Sequence, residues 1–127
     1  MFDFSIKSDW DPPNKIGKIS LVTGDVSEYN VPTENGYPLC ITAGPDGNLW
    51  FTESDGGKIG KISTATDIIT EYNIPNSANY PNDAGNFGPF GITTGPDGNL
   101  WFTERLINTI CKISPKKGKI IEYPLGK

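Results

Sequence analysis

The sequence predicts an all-β fold built from four-stranded antiparallel repeats. A ten-residue block, GPDGNLWFTE, occupies residues 44–53 and recurs without change at residues 95–104. A second block, Ile-Gly-Lys-Ile-Ser with one Gly-to-Cys variant, begins at Ile16, Ile59 and Ile110. Within these repeats the side chains alternate with a period of two, which is typical of strands, and no segment shows the 3.6-residue stripe of an amphipathic helix.

The length of the repeat predicts β-propeller blades. The blocks that begin at Ile16 and Ile59 are 43 residues apart, and a four-stranded unit of about 40–45 residues has the size of a propeller blade. Stacking of neighbouring blades buries the sheet faces, which explains how a chain with only 35% hydrophobic residues can fold. An irregular β-sandwich is the alternative, but a sandwich does not require near-identical repeats. The strands of the second unit are expected at about residues 38–44, 48–53, 58–63 and 68–74.

The repeats divide the 127 residues into the units of one propeller segment. We expect a partial blade over residues 1–32, a blade over residues 38–75 and a blade over residues 89–125, with an inserted polar connector at residues 76–88. This gives about 2.5 blades, or three if residues 1–14 supply the strands that the first unit lacks. Such a ring is incomplete, so we expect self-association or the remaining blades of a longer chain as partners.

Composition excludes several classes of function. The chain has no histidine, which excludes a Ser-His-Asp or Cys-His centre within one chain. Its net charge of −4 argues against a nucleic-acid partner, and the absence of a long apolar run argues against a membrane partner. Cys40 and Cys111 are too few for a disulfide scaffold or a zinc site. We expect both to be small buried hydrophobic residues, and a cytoplasmic protein fits this cysteine usage.

The blade pattern resembles that of the virginiamycin B lyase (streptogramin lyase) family. The pattern is Pro-x-x-Ile-Thr-x-Gly-Pro-Asp-Gly-Asn-Leu-Trp-Phe-Thr-Glu, then Ile-Gly-Lys-Ile and Glu-Tyr-x-x-Pro, and the resemblance extends over residues 15–125. It implies the blades of a seven-bladed propeller. It also implies a magnesium-dependent carbon–oxygen lyase that confers antibiotic resistance. Members of the family open the cyclic depsipeptide of type B streptogramins by an elimination that uses no water.

The resemblance further implies the positions of site residues. In the family's active blades a histidine follows the proline of the Pro-x-x-Ile segment, and here that position holds Leu39 and Phe90. No catalytic residue is therefore expected. The glutamate that ends Trp-Phe-Thr-Glu is retained as Glu53 and Glu104, which are predicted to bind Mg²⁺. The alternative is that these glutamates are solvated or accept hydrogen bonds from turn amides.

Leu39 and Phe90 also have an interpretation of their own. At the mouth of a central channel they would form an apolar rim for a hydrophobic ligand such as a small cyclic peptide. The alternative is that they pack against neighbouring inner strands.

Other repeated residues are predicted to have structural roles. Asp46 and Asp97 are expected to cap their own Pro-Asp-Gly-Asn turns rather than to bind calcium. Trp50 and Trp101 are expected to pack between blades rather than to stack on a ligand. The same interpretation applies to the tyrosines of the fourth strand, Tyr29, Tyr72 and Tyr123.

Two functional hypotheses follow. The first is a non-catalytic propeller segment that binds a ligand, supports a larger structure or assembles into a ring. The second is a streptogramin lyase that acts as part of a larger or oligomeric propeller. The sequence leaves open whether the chain is an enzyme.

Overall fold

The structure is a computed structural model, and it describes residues 2–5, 14–75, 88–105 and 107–126. Each described element of regular structure is a strand. The strands are β1 (Phe2–Ser5), β2 (Lys15–Ile19), β3 (Val26–Asn30), β4 (Pro38–Ala43), β5 (Leu49–Glu53), β6 (Lys58–Ile62), β7 (Ile69–Asn73), β8 (Pro89–Thr94), β9 (Leu100–Glu104), β10 (Thr109–Ile113) and β11 (Ile120–Pro124). Over these residues we find no helix long and apolar enough to cross a membrane.

The strands form three antiparallel sheets in chain order. Blade 1 contains β1–β3, blade 2 contains β4–β7 and blade 3 contains β8–β11. The predicted all-β fold of four-stranded blades is confirmed, and each strand of blade 2 ends within one residue of its predicted bounds. In blade 1, β1 lies within residues 1–14, pairs with β2 and supplies one of the strands that the partial first unit lacks. Most of the predicted connector at residues 76–88 lies outside the described residues.

The turn between the first two strands of a blade is fixed by Asp46 and its counterpart Asp97. In blade 2 the Asp46 carboxylate accepts hydrogen bonds from the Asn48 amide at 3.1 Å and from the Trp50 indole N–H at 3.0 Å. Gly47 takes the left-handed backbone conformation at φ +84°. The predicted capping role is thus confirmed, and the same carboxylate also orients the tryptophan. Blade 3 repeats this arrangement at Asp97.

A bulge shapes the innermost strand of each complete blade. The register of β4 against β5 shifts between Pro38 and Ile41, and β8 shifts at the equivalent place. The bulge leaves the Cys40 amide outside the regular ladder, and the Thr52 hydroxyl accepts its hydrogen bond at 3.2 Å. The threonine of the Trp-Phe-Thr-Glu block therefore holds the inner strand in place.

Neighbouring blades stack face to face because the sheet faces that they turn toward each other are apolar. On β5, Phe51 faces blade 1 and Trp50 faces blade 3, since neighbouring side chains of a strand point to opposite sides. The seam between blades 1 and 2 has a buried core of Ile16, Val31, Phe51 and Ile62. The core of the seam between blades 2 and 3 consists of Trp50, Ile59, Ile74, Leu100, Phe102, Cys111 and Ile113. The predicted packing of Trp50 between blades is confirmed.

Candidate functional site

The inner strands β4 and β8 lie side by side and form the edges of their sheets. Side-chain hydroxyl groups of blades 2 and 3 donate hydrogen bonds across the seam to backbone carbonyls of these two strands. Thr52 donates to the Phe90 carbonyl at 2.9 Å, and Thr94 donates to the Ala43 carbonyl at 2.6 Å. Ser54 donates to the Pro89 carbonyl. These bonds fix the position of one inner strand relative to the next.

Leu39 and Phe90, the predicted rim residues, occupy equivalent positions on these two strands. Leu39 is half-buried, whereas 39% of Phe90 is exposed. The Arg105 guanidinium lies 5.2 Å from the centre of the Phe90 ring, within the range of a cation–π contact. The structure thus brings two apolar side chains and one cation to the inner edge of the seam. A ligand-binding role for this rim stays a prediction.

Glu53 is completely buried at the end of β5, in the seam between blades 1 and 2. Burial raises its pKa to about 9, and the neighbouring Glu71 carboxyl adds to the rise, while Lys58 opposes it. Glu71 in turn accepts hydrogen bonds from the Thr33 amide at 3.1 Å and the Thr33 hydroxyl at 2.9 Å. Burial and the neighbouring Glu71 carboxyl thus keep Glu53 protonated at neutral pH.

The loops around Glu53 are shaped to admit its carboxyl group. A Cβ atom at Gly36 would lie 2.9 Å from Glu53 Oε1, and one at Gly56 would lie 3.3 Å from it. Glycine at both positions leaves room that a larger residue would fill. The buried carboxyl is therefore built into the seam rather than exposed at a strand end.

Glu104 has the equivalent position in blade 3 and is 2% exposed. It faces blade 2 and lies close to Gly88, where a Cβ atom would come within 2.9 Å of Glu104 Oε1. Burial raises the pKa of the Cys111 thiol to about 12, with smaller effects from the charges of Glu122 and Glu104. Cys111 is buried as predicted, while Cys40 is only half-buried, and both are free thiols.

Glu53 and Glu104 line two different seams. Glu53 shares the face of β5 that packs on blade 1, and Glu104 shares the face of β9 that packs on blade 2. Their carboxylate oxygens are of the type that Mg²⁺ prefers, but this ion also keeps several waters. No group of three or more His, Cys, Asp or Glu side chains suited to a metal occurs within the described ranges. The buried seams as described do not fit a hydrated magnesium ion, and magnesium binding by these glutamates stays an untested prediction.

A link between blades 1 and 2 was missed by the sequence analysis. Asp67 accepts hydrogen bonds from Lys18 Nζ at 3.2 Å and from the Tyr29 hydroxyl at 3.1 Å. The bond to Asp67 is the main cause that raises the pKa of Lys18. Asp67 adopts φ +62°, a conformation that the equivalent residues Gly24 and Gly118 also adopt. An aspartate among glycines in the aligned repeats is the signal that could have revealed this contact.

The described chain has two four-stranded blades and one three-stranded blade, which stack through apolar seams with their first strands at the edges of the sheets. This arrangement defines a segment of a β-propeller. The sequence model of the Virginiamycin B lyase family matches residues 11–83. The chain belongs to this family, and the resemblance drawn from the blade pattern is confirmed. A comparison with curated protein sequences gives no match.

Solved structures agree with this assignment. Virginiamycin B lyase from Staphylococcus aureus is 39% identical with a TM-score of 0.78, and the match covers 90% of this chain and 35% of that one. A streptogramin B lyase structure is 38% identical with a TM-score of 0.77 and the same coverage. The chain thus spans about a third of the length of these lyases. The extracellular domain of a putative one-component system from B. thetaiotaomicron is 17% identical with a TM-score of 0.72. The match covers 91% of this chain and 14% of that domain's chain, and it shows a shared fold alone.

Proposed function

We propose that this chain is a non-catalytic propeller segment of the virginiamycin B lyase family, serving as a binding, structural or ring-assembly unit. The observation that carries the proposal is the pair Leu39 and Phe90 on the inner strands, in a sequence without histidine. A crystallised lyase from Staphylococcus aureus with one histidine changed to alanine is described as catalytically inactive, with quinupristin present. A chain that lacks every histidine should therefore bind such a molecule without cleaving it.

The inner strands also lack a substitute base. Cys40 is the one titratable side chain of β4 and β8, and burial raises its pKa, so its thiol is neutral. Glu53 is buried and protonated at neutral pH. Arg105 is a cation and cannot accept a proton. None of these groups can remove a proton from a substrate at the inner edge of the seam.

The proposed ligand is a small cyclic peptide with an apolar side, held at the rim. Phe90 offers an exposed aromatic ring, Leu39 an aliphatic surface and Arg105 a cation beside them. Quinupristin is a suitable probe, because a relative of this chain was crystallised with it. In titration calorimetry we expect Phe90→Ala to weaken quinupristin binding about tenfold, and Ile68→Ala, at an exposed turn of blade 2, to leave it unchanged. Unchanged affinity of the Phe90 variant would reject the rim.

The second candidate is a magnesium-dependent lyase that works within a larger or oligomeric propeller. Family membership favours it. Liquid chromatography separates the two candidates, because an elimination without water gives a ring-opened product of unchanged mass. We expect the purified chain to produce no ring-opened quinupristin with magnesium. Magnesium-dependent product formation, lost in Glu53→Gln, would establish the lyase instead.

A further inference from the structure

The seam between blades 2 and 3 shows how one blade of this type covers another. On blade 2 it buries Trp50 and Ile59, and Tyr72 stacks on Trp50 at 5.6 Å between ring centres. On blade 3 it buries Ile113 and half-buries Ile120. The seam therefore joins the Trp50–Tyr72 face of one blade to a mainly aliphatic face of the next, which also buries Phe102.

Blade 3 carries a second copy of the aromatic face that no described residue covers. We call this the aromatic open face. Tyr123 stacks on Trp101 at 5.8 Å, as Tyr72 does on Trp50, and Lys112 lies 5.3 Å from the Trp101 ring, as Lys61 lies from Trp50. A groove of about 380 Å³ opens beside Trp101 and Ile110. The members of the face are Trp101, Ile110, Lys112, Ile121 and Tyr123.

Burial separates this face from its covered counterpart. Ile59 is 0% exposed, whereas Ile110, at the same position of the repeat, is 37% exposed. Tyr123 is 42% exposed. A contiguous apolar face of this kind on a soluble domain marks a binding surface.

Blade 1 repeats two of these aliphatic positions at the other end of the chain, and its register places Asp3 where blade 3 has Phe102. Ile19 and Val26 stand at the positions of Ile113 and Ile120, and they are 40% and 65% exposed. Gly24 lies at the position of Gly118, where a Cβ atom would come within 2.5 Å of the Tyr72 ring. Over the described part of the chain, no atom lies within 4 Å of the Cβ position at Gly24. We call Ile19, Gly24 and Val26 the aliphatic open face.

We propose that the aromatic open face binds the aliphatic open face of a second copy of the chain, head to tail. Tyr123 would pack over Gly24 of the second copy as Tyr72 packs over Gly118. Asp25, in the exposed turn beside Gly24, would add a second carboxylate near Lys112, which already pairs with Asp97 at 3.7 Å. A head-to-tail contact gives a closed ring if its rotation closes and a filament if it does not. This inference rests on the proposed function and names the partner of a ring-assembly unit.

Charge substitutions on the two faces test this arrangement. Ile110→Glu disrupts the aromatic open face, Val26→Glu disrupts the aliphatic one, and Ile68→Lys is a matched control at an exposed turn position that holds Lys119 in blade 3. Light scattering after size exclusion gives the mass of each sample, and circular dichroism verifies that each variant is folded. We expect assemblies of two or more 13.8 kDa chains for the natural sequence and the control, and single chains for either Glu variant.

A mixture of the Ile110→Glu and Val26→Glu variants tests the proposal more sharply than either variant alone. The Ile110 variant keeps its aliphatic face and the Val26 variant keeps its aromatic face, so the mixture has one intact contact. We expect it to form dimers and nothing larger. A single-chain mass for the natural sequence at every concentration would overturn the proposal, as would an unchanged assembly of the Val26→Glu variant. Quinupristin binding is measured in separate experiments, so a chain that fails to assemble is distinguished from a chain that fails to bind the ligand.

Discussion

The Tyr29 hydroxyl of blade 1 donates a hydrogen bond of 3.1 Å to the Asp67 carboxylate of blade 2. The equivalent Tyr72 of blade 2 faces Gly118, which has no carboxylate to offer. Two seams of one chain therefore use the same tyrosine position differently. The first seam is held by a hydrogen bond to a charged group as well as by apolar packing.

Substitution of this tyrosine should weaken the first seam alone. Tyr29→Phe removes the bond to Asp67, and we expect it to lower the free energy of unfolding by about 1 kcal/mol. Tyr72→Phe is the matched control, with an expected change below about 0.5 kcal/mol. Urea denaturation at neutral pH measures both. Equal effects of the two substitutions would show that the Asp67 bond does not stabilise the seam.

Trp50 and Trp101 provide a comparison of burial within one repeated block. Trp50 is 0% exposed and Trp101 is half-buried, although they occupy the same position in two copies of the ten-residue block. We expect Trp50→Ala to cost about 3–5 kcal/mol of stability, as for other large buried side chains. At concentrations where the chain is dissociated, Trp101→Ala should cost less than half as much. Denaturation curves of similar size for the two variants would contradict the packing described here.

Glu53 should make the protein less stable as the pH rises. Its pKa is about 9 in the folded chain, above its ordinary value of 4.5, so between these values the folded state holds a proton that the unfolded state has released. Stability is then full below about pH 4.5 and falls as the pH approaches 9, with a slope of order 1 kcal/mol per pH unit. The expected result of Glu53→Gln is a flatter profile and a higher melting temperature at pH 8. Thermal melts from pH 5 to 8.5 test this.

The control for that experiment is Glu28→Gln. Glu28 is exposed and stands in blade 1 at the position of Glu71. Its replacement should leave the slope unchanged. If natural sequence and Glu53→Gln give parallel profiles, the buried carboxyl is not the origin of the pH dependence.

The strands could be predicted because the same short sequence motifs recur from blade to blade. The Pro-Asp-Gly-Asn turn, the alternating Leu-Trp-Phe-Thr-Glu strand and the paired aromatic residues are local signals, and they place β4–β7 within one residue. The strand β1 was not counted from sequence because residues 2–5 carry none of these blocks. Its identification depends on pairing with β2, which is a tertiary contact.

The chemistry of the seams could not be read from local sequence. A glutamate at a strand end is ordinarily solvated, but the fold brings the loops at Gly36 and Gly56 over Glu53 and they help to bury it. A magnesium site shared by Glu53 and Glu104 would require these equivalent positions of neighbouring blades to meet. They face successive seams instead, because each blade is turned with the same face toward the blade before it.

The packing of the seam between blades 1 and 2 depends on Gly60, which has no side chain. The Phe51 ring lies against it, and a Cβ atom there would come within 2.2 Å of Phe51 Cζ. Phe51 is fully buried, so the ring can move only by displacing its neighbours. We expect Gly60→Ala to lower the free energy of unfolding by about 1–3 kcal/mol.

Gly91→Ala is the control, because the nearest atom to its Cβ position is 3.8 Å away, and it should change stability by less than about 0.5 kcal/mol. Urea denaturation of both variants decides the point, and a neutral Gly60→Ala would mean that the seam can repack around Phe51.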